Sequence, residues 1–147
     1  MTPRIRAARA EDAVICARIL GAFFTETTWL PRIHTPAQDL AFVRQLIGKG
    51  QVRVMDRGGL ALGFIAREGD EIGQLYVDRP HRRGGIGAAL VQEAQGVRNR
   101  LGLWTFQANT EARKFYEGLG FRPVRFGDGS HNEERVPDVR LEWEAAR

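Results

Sequence analysis

The sequence predicts an α/β protein with a mixed, mostly antiparallel central sheet, flanking helices and one parallel strand-helix-strand crossover. Three observations carry that reading. Between residues 51 and 77 apolar residues recur with period two in three runs divided by short glycine turns, the pattern of an antiparallel meander. Before and after this region the apolar spacing becomes helical, as at Ala13, Ala17, Leu20 and Phe24. Finally, strand, glycine-rich turn, helix and strand follow one another up to residue 107, which makes the strands at 72–77 and 103–107 parallel neighbours joined right-handedly.

Element by element, residues 3–7 read as a short strand and Ala10 to Phe24 as a helix. Glu11 and Asp12 in its first turn suit the positive end of the helix dipole. An irregular segment, TETTWLPRIH, follows. Thr35-Pro36-Ala37-Gln38 then combines a capping box with proline at the first helical position, so a second helix is expected from Pro36 to about Ile47, ended by Gly48 and Gly50. The meander strands are 51–55, 60–68 and 71–77. A helix is expected from about Ile86 to Arg98, a strand at 103–107 and a helix from Glu111 to Glu117 stopped by Gly118 and Gly120. Strands at 121–126 and 139–143 flank the polar loop FGDGSHNEERVPD. The chain shows no internal repeat, low-complexity tract or linker.

At 147 residues this is the length of one domain, 1–147, able to bury a core without disulfide or metal support. No apolar run approaches the roughly 20 residues that cross a bilayer, so no membrane partner is expected. The opening MTPRIRAARAED lacks the apolar core of a secretion signal, and a cytoplasmic location is expected. Cys16 is the lone cysteine and lies among apolar helical positions, where packing is its role. The net charge of +4 favours an anionic partner. Nucleic acid is disfavoured, because the basic residues are scattered among 18 acidic ones without an aromatic-basic pattern. His34 and His131 lack any spacing that would make a metal site.

The stretch HRRGGIGAAL, residues 81–90, admits three readings. It is a tight turn with solvated arginines, a nucleotide site, or a site for another pyrophosphate. A dinucleotide fingerprint anchored at Gly85 and Gly87 needs Gly or Ala at 90, which is Leu90. A Walker sequence needs Ser or Thr after Gly48-Lys49, where Gly50 stands. The third reading keeps the physics: backbone N–H groups of 83–88 at a helix N-terminus bind phosphate oxygens, Gly85 and Gly87 allow close approach, and Arg82 and Arg83 add charge.

The segment LYVDRPHRRGGIGAALV resembles the signature of the GNAT acyltransferase superfamily, a strand followed by R-x-x-G-x-G/A opening a helix, here Arg82 to Gly87. Downstream, NTEARKFYEGLGF is similar to that family's N-x-x-A-x-x-F-Y-x-x-x-G-F, matched by Asn109, Ala112, Phe115, Tyr116, Gly120 and Phe121. The two motifs stand in the family's order over roughly residues 70–121. The resemblance implies a GNAT-like fold and transfer of an acetyl group from acetyl-CoA (coenzyme A) to an amine, by direct attack in a ternary complex. A non-catalytic coenzyme-A-binding module is the alternative.

It also implies roles for residues. The pantetheine arm would lie along Leu75, Tyr76 and Val77, where the strand splays and an N–H can polarise the thioester carbonyl. Arg82, Arg83, Gly84, Gly85, Ile86, Gly87 and Ala88 would meet the pyrophosphate. Asn109 would contact the cofactor, cap its helix, or both. Tyr116 would protonate the departing thiolate, where an isolated Tyr at that spacing would otherwise read as core. Glu71 corresponds in place to a glutamate that some members use as base, though it also suits a solvated turn. The acceptor, a small-molecule or peptide amine, would be lined by Glu26, Trp29, His34 and His131, with Glu133 and Glu134 beside them. Monomer and homodimer both remain open.

Overall fold

A computed structural model describes residues 2–146; Met1 and Arg147, the ends of the expected single domain, lie outside them. Seven strands form one sheet: β1 (Arg4–Ala7), β2 (Val52–Arg57), β3 (Leu60–Glu68), β4 (Glu71–Val77), β5 (Arg100–Phe106), β6 (Arg122–Gly127) and β7 (Asp138–Glu144). Their order is β1-β2-β3-β4-β5-β7-β6, antiparallel throughout except between β4 and β5. Among the described residues four α-helices flank it: α1 (Ala13–Glu26), α2 (Pro36–Gly48), α3 (Ile86–Val97) and α4 (Thr110–Gly118).

Local chemistry sets most boundaries. Gly58 and Gly59 both take positive φ, at 65° and 89°, which closes the β2–β3 hairpin in two residues with the twist a mirror-image turn supplies. Thr35 accepts from the Gln38 N–H while Gln38 accepts from the Thr35 N–H, so the expected capping box opens α2. The first helix begins later than its apolar spacing implies. Ala10–Asp12 form a 3-10 turn because the Asp12 carboxylate accepts from the Arg9 N–H and from Arg6 of β1, rather than standing free at the helix dipole. Arg6 also donates to Asp56 of β2, tying the N-terminal strand and turn to the sheet.

Alternation places two buried clusters on opposite faces. Val52 and Val54 of β2 with Phe64 and Ala66 of β3 pack under α1 and α2. Met55, Ile65 and Ile72, with Leu101, Leu103, Val139 and Leu141, pack under α3 and α4. Residues of β4, β5 and β7 opposite in phase to this second set, among them Glu71, Trp104 and Arg140, therefore share the face of α1 and α2. Trp104 is 45% exposed there, so neither helix covers this end of the sheet.

The parallel crossover differs from its expected extent. β5 starts at Arg100, three residues early, because Arg100 to Phe106 pair along the full length of β7. Against β4 it pairs only at Glu71 and Gly102.

Candidate active site

Beyond the Glu71–Gly102 pair, β4 and β5 part. The β3–β4 register runs Arg67 to Ile72 and then Ala66 to Gln74, so Gly73 is an extra residue, and such a bulge bends its strand. Asp78 N–H donates to the Leu62 carbonyl at 2.8 Å. Hydrogen bonding alternates along an antiparallel pair, so Tyr76 also faces β3 while Leu75 and Val77 turn their backbone groups into the gap. The Val77 carbonyl there accepts from Arg82 Nε at 3.0 Å.

The glycine turn lies at the open end of this gap. Arg79–His81 make one 3-10 turn, Arg83 has φ 66° and Gly85 has φ 85°, the region that favours glycine. The first bond of α3 runs from Ala89 N–H to the Gly85 carbonyl, which leaves the N–H groups of Ile86, Gly87 and Ala88 without partners in the helix. The two glycines that the sequence marks for ligand approach differ in surroundings. A Cβ on Gly85 would meet nothing within 4 Å, whereas one on Gly87 would meet Phe115 at 3.3 Å and Val77 at 3.7 Å. Gly87 thus lets α3, α4 and the end of β4 close on one another.

Arg82 and Arg83 also part company. Arg82 is fixed between the Val77 carbonyl and Glu26 at the end of α1, at 2.8 Å from the carboxylate. Arg83 is 89% exposed on its side chain and lies 3.6 Å from Glu111 in the first turn of α4. Asn109 caps α4 by accepting from the Ala112 N–H. Tyr116 sits on the inner face of α4, edge-on to Phe115 and Phe121 at 5.0 and 5.4 Å between centroids. Burial, with Tyr76 adding to it, pushes its phenol above the ordinary tyrosine range. Burial does the same for Tyr76, with the Glu134 and Asp39 carboxylates adding to it. Both phenols keep their protons at neutral pH.

The two segments expected to line the acceptor site meet over the gap. With Glu26 held at the end of β4, Trp29 lies edge-on to Phe106 at the end of β5, 5.8 Å between centroids, so residues 26–29 bridge the two strand ends. His34 Nε2 lies 2.8 Å from Glu133, joining this segment to the β6–β7 loop. That loop is itself pinned: Gln107 N–H donates to Pro137, Asn132 exchanges hydrogen bonds with the Val136 backbone, and Gly129 packs so tightly that a Cβ would meet Val136 at 2.7 Å. His131, in the same loop, is exposed.

Glu71 is not among the gathered groups. It occupies the closed end of the gap, six residues from Val77, about 20 Å at 3.3 Å per residue. Both its oxygens accept from Arg140 Nη1, at 2.7 and 2.8 Å. Arg140 lies flat over Gly102, also donates to Glu142 and stacks beside Trp104. Sequence reasoning did not single out Arg140, Phe106 or the Glu26–Arg82 pair. The polar phase of β7 could mark Arg140 as outward, but only the strand order brings it to Glu71.

A family model described as an acetyltransferase (GNAT) domain matches residues 46–123, which span the gap, the glycine turn and Tyr116. The peptidyl-lysine N-acetyltransferase YiaC of Escherichia coli K12 is 31% identical over 98 residues, 66% of this chain and 66% of YiaC, so the match spans just under two thirds of that relative. Apo YjaB from Escherichia coli has the same fold with a TM-score of 0.81 at 21% identity, covering 99% of this chain and 100% of that one. Ard1 from Thermoplasma volcanium superposes with a TM-score of 0.79 at 21% identity over 100% of both chains. The PaiA N-acetyltransferase from Thermoplasma acidophilum, solved with coenzyme A, gives 0.71 at 17% identity, covering 99% of this chain and 100% of that one.

Proposed function

The chain belongs to the GNAT acetyltransferase family, whose fold binds acetyl-CoA, and on that premise we propose that it transfers the acetyl group to a primary amine by direct attack in a ternary complex. The observation that carries this reading is the parting of β4 from β5 just past Glu71 and Gly102, in a gap that opens onto the unpartnered N–H groups starting α3.

The residues fit such a donor. Leu75 and Val77 offer backbone groups to an amide-bearing arm, and the N–H groups of 83–88 with the dipole of α3 suit a pyrophosphate. Arg83, exposed and only loosely paired with Glu111, can swing to reach it, while Arg82 holds the loop to Val77 and Glu26. Bound acetyl-CoA supplies an activated acyl carbon and a thiolate leaving group. Tyr116 keeps its proton through neutral pH and gives it to the departing sulfur. The acceptor enters from the face of α1 and α2, between Trp29, Phe106 and the β6–β7 loop. Trp29 offers an apolar or cation-binding wall. Glu71, with both oxygens engaged by Arg140, serves to hold the closed end of the gap.

The test is an amine panel assayed for acetyl-CoA-dependent thiol release: a blocked lysine peptide, a peptide with a free N-terminus, spermidine, an aminoglycoside and free amino acids. Release that depends on the amine is expected. Tight acetyl-CoA binding with no amine-dependent release would favour a coenzyme-A-binding module instead.

A further inference from the structure

We infer that Glu134 is the base that takes the first proton from the acceptor ammonium; this rests on the acetyltransfer reading above. An alkyl ammonium has a pKa of about 10 and has no lone pair to attack with, so near neutral pH a proton acceptor must stand beside it. The mouth of the gap holds several carboxylates, and most are engaged. Glu26 is taken by Arg82, Asp39 by Arg32, Glu133 by His34 and Asp138 by Asn132. Asp78 lies 3.9 Å from Arg18. Among the described residues Glu134 makes no ion pair or hydrogen bond and retains its lone pairs.

The backbone puts it in the right place. Glu133 touches His34 of the α1–α2 segment, while Pro137 is bonded to Gln107 just past the end of β5, so the chain between them crosses the mouth of the gap. Arg135 has φ 57°, a conformation rare for a residue with a side chain and one that clusters at functional sites. It turns the loop so that Glu134 is half-buried between two exposed neighbours, Glu133 and Arg135. The charged or titratable groups facing it are the Tyr76 phenol, on which the Asp39 carboxylate of α2, itself paired with Arg32, also acts, the Glu133–His34 pair next to it, and Arg135 next in sequence. The carboxylate of Glu134 is close enough to Tyr76 to oppose ionisation of that phenol.

The protons then balance. Glu134 removes one proton from the ammonium. The nitrogen lone pair forms the C–N bond to the thioester carbonyl carbon as the C–S bond breaks, and the electron pair leaves on sulfur. Tyr116 protonates that thiolate and is reprotonated by the second proton shed from nitrogen, so amide and free thiol form and one proton passes from Glu134 to water.

Glu134→Gln tests this with the amine that the native protein acetylates fastest in the panel. At pH 7 kcat/KM is expected to fall by about 10²-fold or more, and the deficit to narrow as pH approaches the amine's own pKa of about 10, with Glu134→Asp partly restoring the rate. Acetyl-CoA affinity and Tm should be unchanged, since Glu134 makes no ion pair or hydrogen bond to lose and Gln keeps its shape. A native rate in Glu134→Gln, or a loss equal at every pH, overturns the inference while leaving acetyltransfer standing. No amine-dependent release by the native protein overturns both.

Discussion

At the scale of single residues, the sharpest proposal concerns Tyr116. A tyrosine wedged between Phe115 and Phe121 would serve packing equally well as phenylalanine, so the hydroxyl is what needs explaining. Tyr116→Phe is expected to keep the native Tm and acetyl-CoA affinity while turnover falls by about 10²- to 10⁴-fold, the usual worth of a positioned general acid. A native kcat in that variant would remove the role. Cys16 is the opposite case: fully buried, its thiol is pushed up to about 12 by burial and by Asp12, so it is inert packing, as its helical neighbours imply. Motif position singles out Tyr116 because a hydroxyl in an apolar helical pattern is a departure from pure packing. It singles out Glu71 as well, whose place on β4 is legible, whereas its pairing with Arg140, two strands away, is not.

At the scale of elements, what the sequence shows well is what local chemistry decides. The capping box of α2, the two-residue turn at Gly58-Gly59 and the cap at Asn109 depend on residues within four positions of one another. What it shows poorly is decided by partners far along the chain. The early start of β5 comes from β7, and the 3-10 opening of α1 from Arg6 and Asp56. That last link gives a pH signature. Burial alone would raise the Asp12 and Asp56 carboxyls, but hydrogen bonds from Arg6 hold both below the usual carboxylate range. Their contribution to stability is therefore complete above the ordinary value of about 3.9 and is lost as pH falls through the lower folded values. Arg6→Met should accordingly lower the urea midpoint at pH 7 and differ less from the native protein below about pH 4, as measured by circular dichroism. A difference that grows on acidification would contradict the linkage.

At the scale of the whole molecule, two helical layers cover opposite faces but leave one corner open, where β4 and β5 part and the α1–α2 segment meets the β6–β7 loop. Among the described residues no helix is long and apolar enough to cross a membrane. The end of this corner proposed for the donor is marked in the sequence, because a glycine turn and its partner motif are contiguous stretches. The end proposed for the acceptor is marked only as two polar segments, since their meeting through Trp29–Phe106 and His34–Glu133 is a property of the folded chain. A second opening exists: a groove of about 720 Å³ between α1 and α2, lined by Val14, Ala17, Ala22 and Leu40 among others. Where the donor binds is therefore the decisive question. Backbone amide resonances answer it directly, on titrating acetyl-CoA into the labelled protein. The largest shifts are expected at Leu75, Val77 and Arg83 to Ala88, with Val14 and Leu40 unmoved. Shifts concentrated at Val14, Ala17, Ala22 and Leu40, with the glycine turn silent, would contradict this.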